Sequence, residues 1–232
     1  MRTLALTSTS ALCALALTAC TAEAEPSATP DPVASASTRA ASSSPTGSVA
    51  TDVAPEVMLT EAAWTAVGPA GPRDESTGAV DWRLPGACAA GAPTDATAMR
   101  TVSQGTGEFE SPVGVQQVAV LADADAAVAE AERLTAALGA CTEGEPPTRY
   151  VSEPLAVGAQ GLGLATDYYG ASASGSLDDA MGTYVAVTRR GNAVMLVGLD
   201  GGEGTVGSAR TTVSGLAQQG WELLCPFDSA GC

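Results

Sequence analysis

The chain opens with a short apolar segment that ends in a cysteine. Arg2 gives a positive start, residues 3–16 are uncharged and mostly apolar, and Leu17-Thr18-Ala19-Cys20 follows. The apolar stretch is too short and too interrupted by Thr and Ser to be a membrane span. We expect residues 1–19 to be a lipoprotein signal peptide and the Cys20 thiol to be lipidated, which would anchor the chain on the outer face of the cell membrane. An ordinary secretory peptide, cut nearby, is the alternative.

Residues 20–56 are predicted to be a disordered tether. They consist largely of Ala, Ser, Thr and Pro with scattered acids, and such a segment cannot bury enough apolar area to offset the entropy of ordering it. The tether is either bare or O-glycosylated. Residues 57–232, roughly 175 in number, are enough for one extracellular domain with its own core.

The missing residue types narrow the possible functions. The chain has no His and no Lys, and its 26 acidic against 10 basic residues give a net charge of −16. Catalysis by Ser-His-Asp or Cys-His, histidine-ligated zinc, Schiff-base chemistry and P-loops are therefore excluded. The acidic surface disfavours nucleic acid. We expect no enzyme activity and no cofactor, and the Ala-rich, Lys-free composition suits a high-GC bacterial genome.

Hydrophobic patterning predicts an α+β fold with an antiparallel β-sheet, helices packed on one face and disulfide staples. Two helices are expected, over Asp123–Cys141 and Thr205–Leu224, after a short helix at Thr60–Trp64. Strands are predicted at 99–107, 113–121, 149–157, 161–169, 183–188 and 193–197, and Gly191-Asn192 suits a tight hairpin turn. On the first long helix, Glu130 and Arg133 are expected on the solvated side.

Four cysteines remain after the leader and Cys20: Cys88, Cys141, Cys225 and Cys232. An even number in an exported chain indicates two disulfides, and three pairings are possible. We favour Cys88–Cys141, which would join the Trp82 region to the inner face of the first long helix, together with Cys225–Cys232. Metal binding by these cysteines is the alternative, although no C-x-x-C spacing is present.

Three features resemble the PknH-like extracellular sensor domain family. They are the strand-to-helix run from Val115 that closes at Cys141, the hairpin Tyr184-Val-Ala-Val-Thr-Arg-Arg-Gly-Asn192-Ala-Val-Met-Leu-Val, and the order of lipobox, tether and domain. This family occurs outside actinobacterial Ser/Thr kinases and in free-standing lipoproteins. The resemblance implies a sheet with helices around a cleft that binds a ligand.

The candidate cleft residues are Tyr168 and Tyr169, beside a Gly-rich loop, and Arg189 and Arg190, which flank the hairpin turn and could receive an anionic group. Packing at a strand end and a solvated hairpin tip are the alternatives. Ser172 and Ser174 have no catalytic context and are expected to be loop residues.

The acidic residues in loops, which could serve a glycosidase, more simply cap helices and solvate turns; they are Asp123, Asp125, Asp178, Asp179, Asp200 and Glu203. Asp200-Gly-Gly-Glu203 is also a candidate for Ca²⁺ binding through its oxygen atoms. The predicted function is therefore a lipid-anchored, monomeric module that binds a small-molecule or envelope ligand or senses the envelope. A carboxylate-dependent cell-wall or glycan hydrolase and a scaffold that binds another envelope protein are the alternatives.

Overall fold

Seven antiparallel strands form one sheet with the order β1-β2-β3-β7-β6-β5-β4. The computed structural model describes residues 49–66, 68, 71–108, 111–142 and 144–232. The predicted signal peptide, Cys20 and most of the predicted tether therefore lie outside the described residues. The strands are β1 Arg73–Thr77, β2 Ala98–Gln104, β3 Val113–Val120, β4 Arg149–Pro154, β5 Ala159–Asp167, β6 Gly182–Arg190 and β7 Ala193–Asp200. The α-helices of the described part are α1 Glu61–Thr65, α2 Ala124–Ala140 and α3 Val206–Leu223. The α+β class and the antiparallel sheet are confirmed.

The two long helices cover opposite faces of the sheet, which corrects the expectation that the helices gather on one face. Along β6, Tyr184 and Ala186 pack in the core under α3, whereas Val185 and Val187 pack in the core under α2. β6 and β7 are apolar on both sides, and a strand of this kind needs cover on both faces. The sheet therefore has two hydrophobic cores, one on each side.

Side-chain caps start each of these helices. Asp123 accepts a hydrogen bond from the Ala126 amide at 2.8 Å and Thr205 accepts one from Ser208 at 3.2 Å. A short polar side chain at this position satisfies an amide that has no partner within the helix. Leu134 and Leu138 of α2 are buried together with Cys141 in the core on that side, as the helical spacing predicts.

The hairpin between β6 and β7 turns at Gly191 and Asn192, as predicted. Gly191 has a φ of 55°, and a Cβ on it would lie 1.7 Å from the carbonyl oxygen of Phe227. The backbone N–H of Asn192 donates a hydrogen bond to the same carbonyl at 3.1 Å. Glycine is therefore required here both by the left-handed backbone and by the close approach of the C-terminal segment.

Both predicted disulfides are present. Cys88 and Cys141 have a Cα–Cα distance of 5.3 Å, and Cys225 and Cys232 one of 5.1 Å.

Ordered structure begins before Val57, because Val53 is only 1% exposed and its carbonyl accepts a hydrogen bond from Arg100 at 2.8 Å. Among the described residues, no helix combines the length and apolar character that crossing a membrane requires.

Candidate functional site

A cleft of about 540 Å³ opens on the face of the sheet that α2 covers. Its floor is formed by β3, β5, β6 and β7, and one wall is segment 83–86, which leads into the 3-10 helix Gly86–Cys88. The opposite side is formed by Thr148 and Tyr150 at the start of β4 and by Tyr168 just after β5. The cleft thus lies where several strands end and their connections meet.

The floor changes from apolar to polar along the strands. Val185 of β6 pairs with Gly198 of β7, and Gly198 pairs in turn with Val115 of β3. Two positions further along, Thr166 of β5 pairs with Tyr150 on one side and with Thr183 on the other. Residues two apart on a strand share a face, so an apolar row is followed by a row of hydroxyl groups.

Gly198 lies in the floor between its strand neighbours Val185 and Val115. A Cβ at this position would lie 3.0 Å from Cγ2 of Val185, which is already fixed in the core. Glycine inside a strand weakens it and commonly marks a place where another group approaches the backbone. The close packing of Val185 in the floor therefore depends on a residue without a side chain at position 198.

The wall formed by segment 83–86 is anchored by Gln117 of β3. The buried amide of Gln117 accepts a hydrogen bond from the Arg83 backbone N–H at 2.6 Å through Oε1, and its Nε2 donates to the Asp81 carbonyl at 3.1 Å and to Thr101 Oγ1 at 3.2 Å. The Cys88–Cys141 disulfide then joins the end of this segment to the residue that follows α2. The wall is consequently attached at both ends.

A buried carboxylate on α2 holds residues on either side of segment 83–86, which corrects the expectation that Glu130 lies on the solvated side. Glu130 is 3% exposed and accepts hydrogen bonds from Trp82 Nε1 at 2.8 Å and from the Thr94 amide at 3.3 Å. Arg133 pairs with it at 2.6 Å and donates to the carbonyls of Ala90 and Ala92. The hydrogen bond to Glu130 raises the pKa of Arg133. Segment 90–94 therefore covers Glu130, whereas the Arg133 side chain is 34% exposed.

The loop after β5 is organised by Asp167. Its carboxylate is fully buried and accepts hydrogen bonds from the amides of Tyr169 and Ala171, both at 3.2 Å, and of Ser172 at 2.8 Å. Burial alone would raise the pKa of Asp167, but the hydrogen bonds from Ser172, Tyr169 and Ala171 outweigh it and lower that pKa. The fixed loop places Tyr168 at the mouth of the cleft.

Of the four predicted cleft residues, the structure places Tyr168 on the cleft. Burial and the nearby Asp200 carboxylate raise the pKa of its phenol. Tyr169 is 67% exposed, and its ring meets that of Tyr168 edge to face, with centroids 6.5 Å apart.

Arg189 and Arg190 lie at the other end of β6, roughly 23 Å along the strand from Gly182. Arg189 donates to Gln160 at 2.7 Å, and Arg190 pairs with Asp228 and stacks on Trp221. The four residues therefore do not line one cavity. The sequence pattern placed each of them beside a turn, but it did not show that the two turns lie at opposite ends of β6.

The carboxylates considered for catalysis are dispersed. Asp123 caps α2, and Asp178 forms an ion pair with Arg210. Asp200 lines the cleft, and it is the one carboxylate among the lining residues. Ser172 lies in the loop held by Asp167, and its Oγ accepts from Arg149 at 3.5 Å. Within the described ranges, no group of three or more His, Cys, Asp or Glu side chains is placed to hold a metal ion.

No family model matches the chain, and no curated protein matches its sequence. A solved structure, the extracellular domain of PknH from Mycobacterium tuberculosis, aligns with a TM-score of 0.45 and 12% sequence identity. The alignment covers 72% of this chain and 93% of that chain. At this level of similarity, the resemblance to the sensor-domain family remains a prediction.

Proposed function

We propose that this chain is an extracytoplasmic ligand-binding module, held at the membrane by a lipid on Cys20 and without catalytic activity. The observation that carries the proposal is the cleft between segment 83–86 and the sheet. Its floor is apolar toward α2, and hydroxyl groups and two charged residues lie toward its mouth. Concave sites with mostly apolar walls and a few polar groups are typical of small-molecule binding.

The disulfides support the extracytoplasmic location. Disulfides persist in oxidising compartments and are rare in the cytosol, and the described domain contains two. The leader and the lipobox ending at Cys20 supply the route of export and the anchor in this proposal. A lipid-bound cysteine followed by a long polar tether would leave the domain free to meet its ligand outside the membrane.

The alternatives draw less support from the cleft. Glycoside hydrolysis of the usual kind needs two carboxylates flanking the scissile bond, whereas Asp200 is the one carboxylate lining the cleft. A protein-binding scaffold would be expected to show a contiguous exposed apolar patch. Among the described residues, the large apolar side chains that are exposed are Val80 and Tyr169.

Native mass spectrometry tests this proposal. The protein would be purified from its own membranes in mild detergent and compared with a Cys20→Ala variant recovered from the soluble extracytoplasmic fraction. We expect the wild-type protein to carry acyl chains and, in addition, a non-covalent mass that denaturation removes. The variant should lack the acyl chains and keep the non-covalent mass. Wild-type protein that carries no such mass would contradict ligand binding, and a variant that stays in the membrane would contradict the anchor.

A further inference from the structure

We propose that the cleft takes an amphipathic ligand whose inner end is uncharged, and that the hydroxyl of Thr166 recognises an oxygen or nitrogen atom at that end. This inference rests on the proposed function, because it concerns the ligand of the same cleft. It is carried by the difference between two threonines that are neighbours in the floor, and by the position of the charged residues in the lining.

Thr166 and Thr183 are paired across β5 and β6, and both are buried, at 5% and 8% exposure. The Thr183 hydroxyl donates to the carbonyl of Leu199. The Thr166 hydroxyl is fully enclosed and has no hydrogen-bond partner among the described residues. A buried hydroxyl without a partner lowers stability, and such groups are expected where function requires them.

Thr166 also lies in the cleft lining, on the face that α2 covers. Leu164, two positions before it on β5, belongs to the core on that face, and Ala165 belongs to the core on the other. Thr166 therefore lies at the border between the apolar row and the mouth, and rotation about its Cα–Cβ bond to another staggered rotamer would turn the enclosed hydroxyl toward a ligand. A ligand whose apolar end lies on Val185, on the neighbouring strand β6, would bring its first polar atom to this position.

The charged lining residues lie at the outside of the cleft. Arg83 and Asp200 are both exposed, and the other lining residues are uncharged. A charge placed over the apolar row would lose its hydration without gaining a nearby counter-charge, which is strongly unfavourable. The inner end of the ligand is thus uncharged, and any charged or strongly polar part lies near Arg83 and Asp200.

Three small probes of similar shape test the inference: ethylbenzene, benzyl alcohol and benzoate. Each would be titrated by NMR into the secreted Cys20→Ala chain, where no acyl group can compete for the cleft, and into the same chain with Thr166→Val. We expect benzyl alcohol to bind more tightly than both other probes, with shifts at Val185 and Leu196. Thr166→Val should reduce the preference for benzyl alcohol over ethylbenzene about three- to tenfold.

A stability measurement separates recognition from a structural role. Valine has nearly the shape of threonine, so Thr166→Val removes a hydroxyl without a partner and should leave the melting temperature unchanged or higher. The matched variant Thr183→Val removes a partnered hydroxyl and should lower it. A clear fall for Thr166→Val would show that this hydroxyl has a structural partner, and would overturn the inference.

The probe outcomes distinguish the inference from the function on which it rests. If the probes bind in the cleft but Thr166→Val leaves their order unchanged, or if benzoate binds best, the inference is wrong and the ligand-binding function stands. If no probe shifts the cleft residues, the inference is also overturned. The native mass spectrometry experiment, which detects a non-covalently bound molecule on the wild-type protein, then tests the proposed function independently.

Discussion

At the level of individual residues, buried polar side chains hold the wall and the loop that shape the cleft. Gln117, Glu130 and Asp167 are each buried and hydrogen-bonded to segments far away or to a loop, and each borders the cleft or supports its wall. Sequence patterns give no signal for such partners, because a glutamate on a helix looks the same whether solvent or a folded segment covers it. Glu130 was therefore expected on the solvated side, and Thr166 was not singled out.

Glu130→Gln should destabilise the domain by about 2 kcal/mol, since it removes the ion pair with Arg133 and a charge-assisted hydrogen bond from Trp82. Glu132→Gln, an exposed change on the same helix, is the matched control and should have little effect. Urea denaturation of both variants measures the difference in free energy of unfolding. Equal stability of the two variants would show that the buried carboxylate contributes nothing.

The lowered pKa of the Asp167 carboxyl group predicts that the stability of the domain depends on pH. Its pKa in the folded protein lies below the ordinary value of 3.8, so the folded state binds fewer protons than the unfolded state in this range. The stabilisation is therefore present above pH 3.8 and is lost as the pH falls through the lower folded pKa. Asp167→Asn should be less stable than wild type at pH 6, and the gap should narrow below about pH 4.

The exposed Asp179→Asn serves as the control for this titration. Its unfolding free energy should follow that of the wild type across the same pH range. A constant gap between Asp167→Asn and wild type down to pH 2 would contradict the assigned role of the Asp167 carboxylate.

Among the helices and strands, hydrophobic periodicity predicted most elements to within a few residues. The alternation at the start of β2 and the stripe along α2 are strong signals, because burial selects the side chains on one face. The strand β1 was missed, since Arg73-Asp-Glu-Ser-Thr77 is an exposed edge with no apolar face. The prediction that both long helices lie on one face of the sheet was also wrong. β6 and β7 are apolar on both sides, so both faces need a covering helix.

Two adjacent glutamines on β3 hold segments on opposite faces of the sheet. Gln116 accepts from the Leu59 amide at 2.7 Å on the α3 side, and Gln117 accepts from the Arg83 amide at 2.6 Å on the α2 side. Gln117→Leu should therefore speed hydrogen exchange at the Arg83 amide by about tenfold or more and leave Leu59 unchanged. Gln116→Leu should do the reverse.

Each of these variants controls for the other, because both replace a fully buried amide on the same strand. NMR-detected hydrogen exchange resolves the two amides separately. Equal acceleration at both positions in either variant would indicate a general loss of stability and would contradict independent anchoring of the cleft wall.

For the domain as a whole, the cysteine count and the predicted export indicated two disulfides, and the pairing favoured among the three possible ones is present. One disulfide attaches the cleft wall to the end of α2, and the other closes the C-terminal segment. The position of the cleft was not predictable. It depends on which strand ends are neighbours, and a local pattern does not contain the strand order β3-β7-β6-β5. The Gly198 position was the available clue, since a glycine interrupts an otherwise apolar strand.

The central claim is that this cleft holds the ligand. Gly198→Ala adds one methyl group to the floor, against Val185, while Gly139→Ala adds the same group to α2 where nothing lies within 4 Å. The most direct test is the amount of non-covalently bound molecule per protein, measured by native mass spectrometry on both variants after thermal melts confirm that they are folded. We expect Gly198→Ala to carry at least about tenfold less bound molecule per protein than the wild type, and Gly139→Ala to carry the wild-type amount. Equal content in the two variants would contradict the cleft as the binding site.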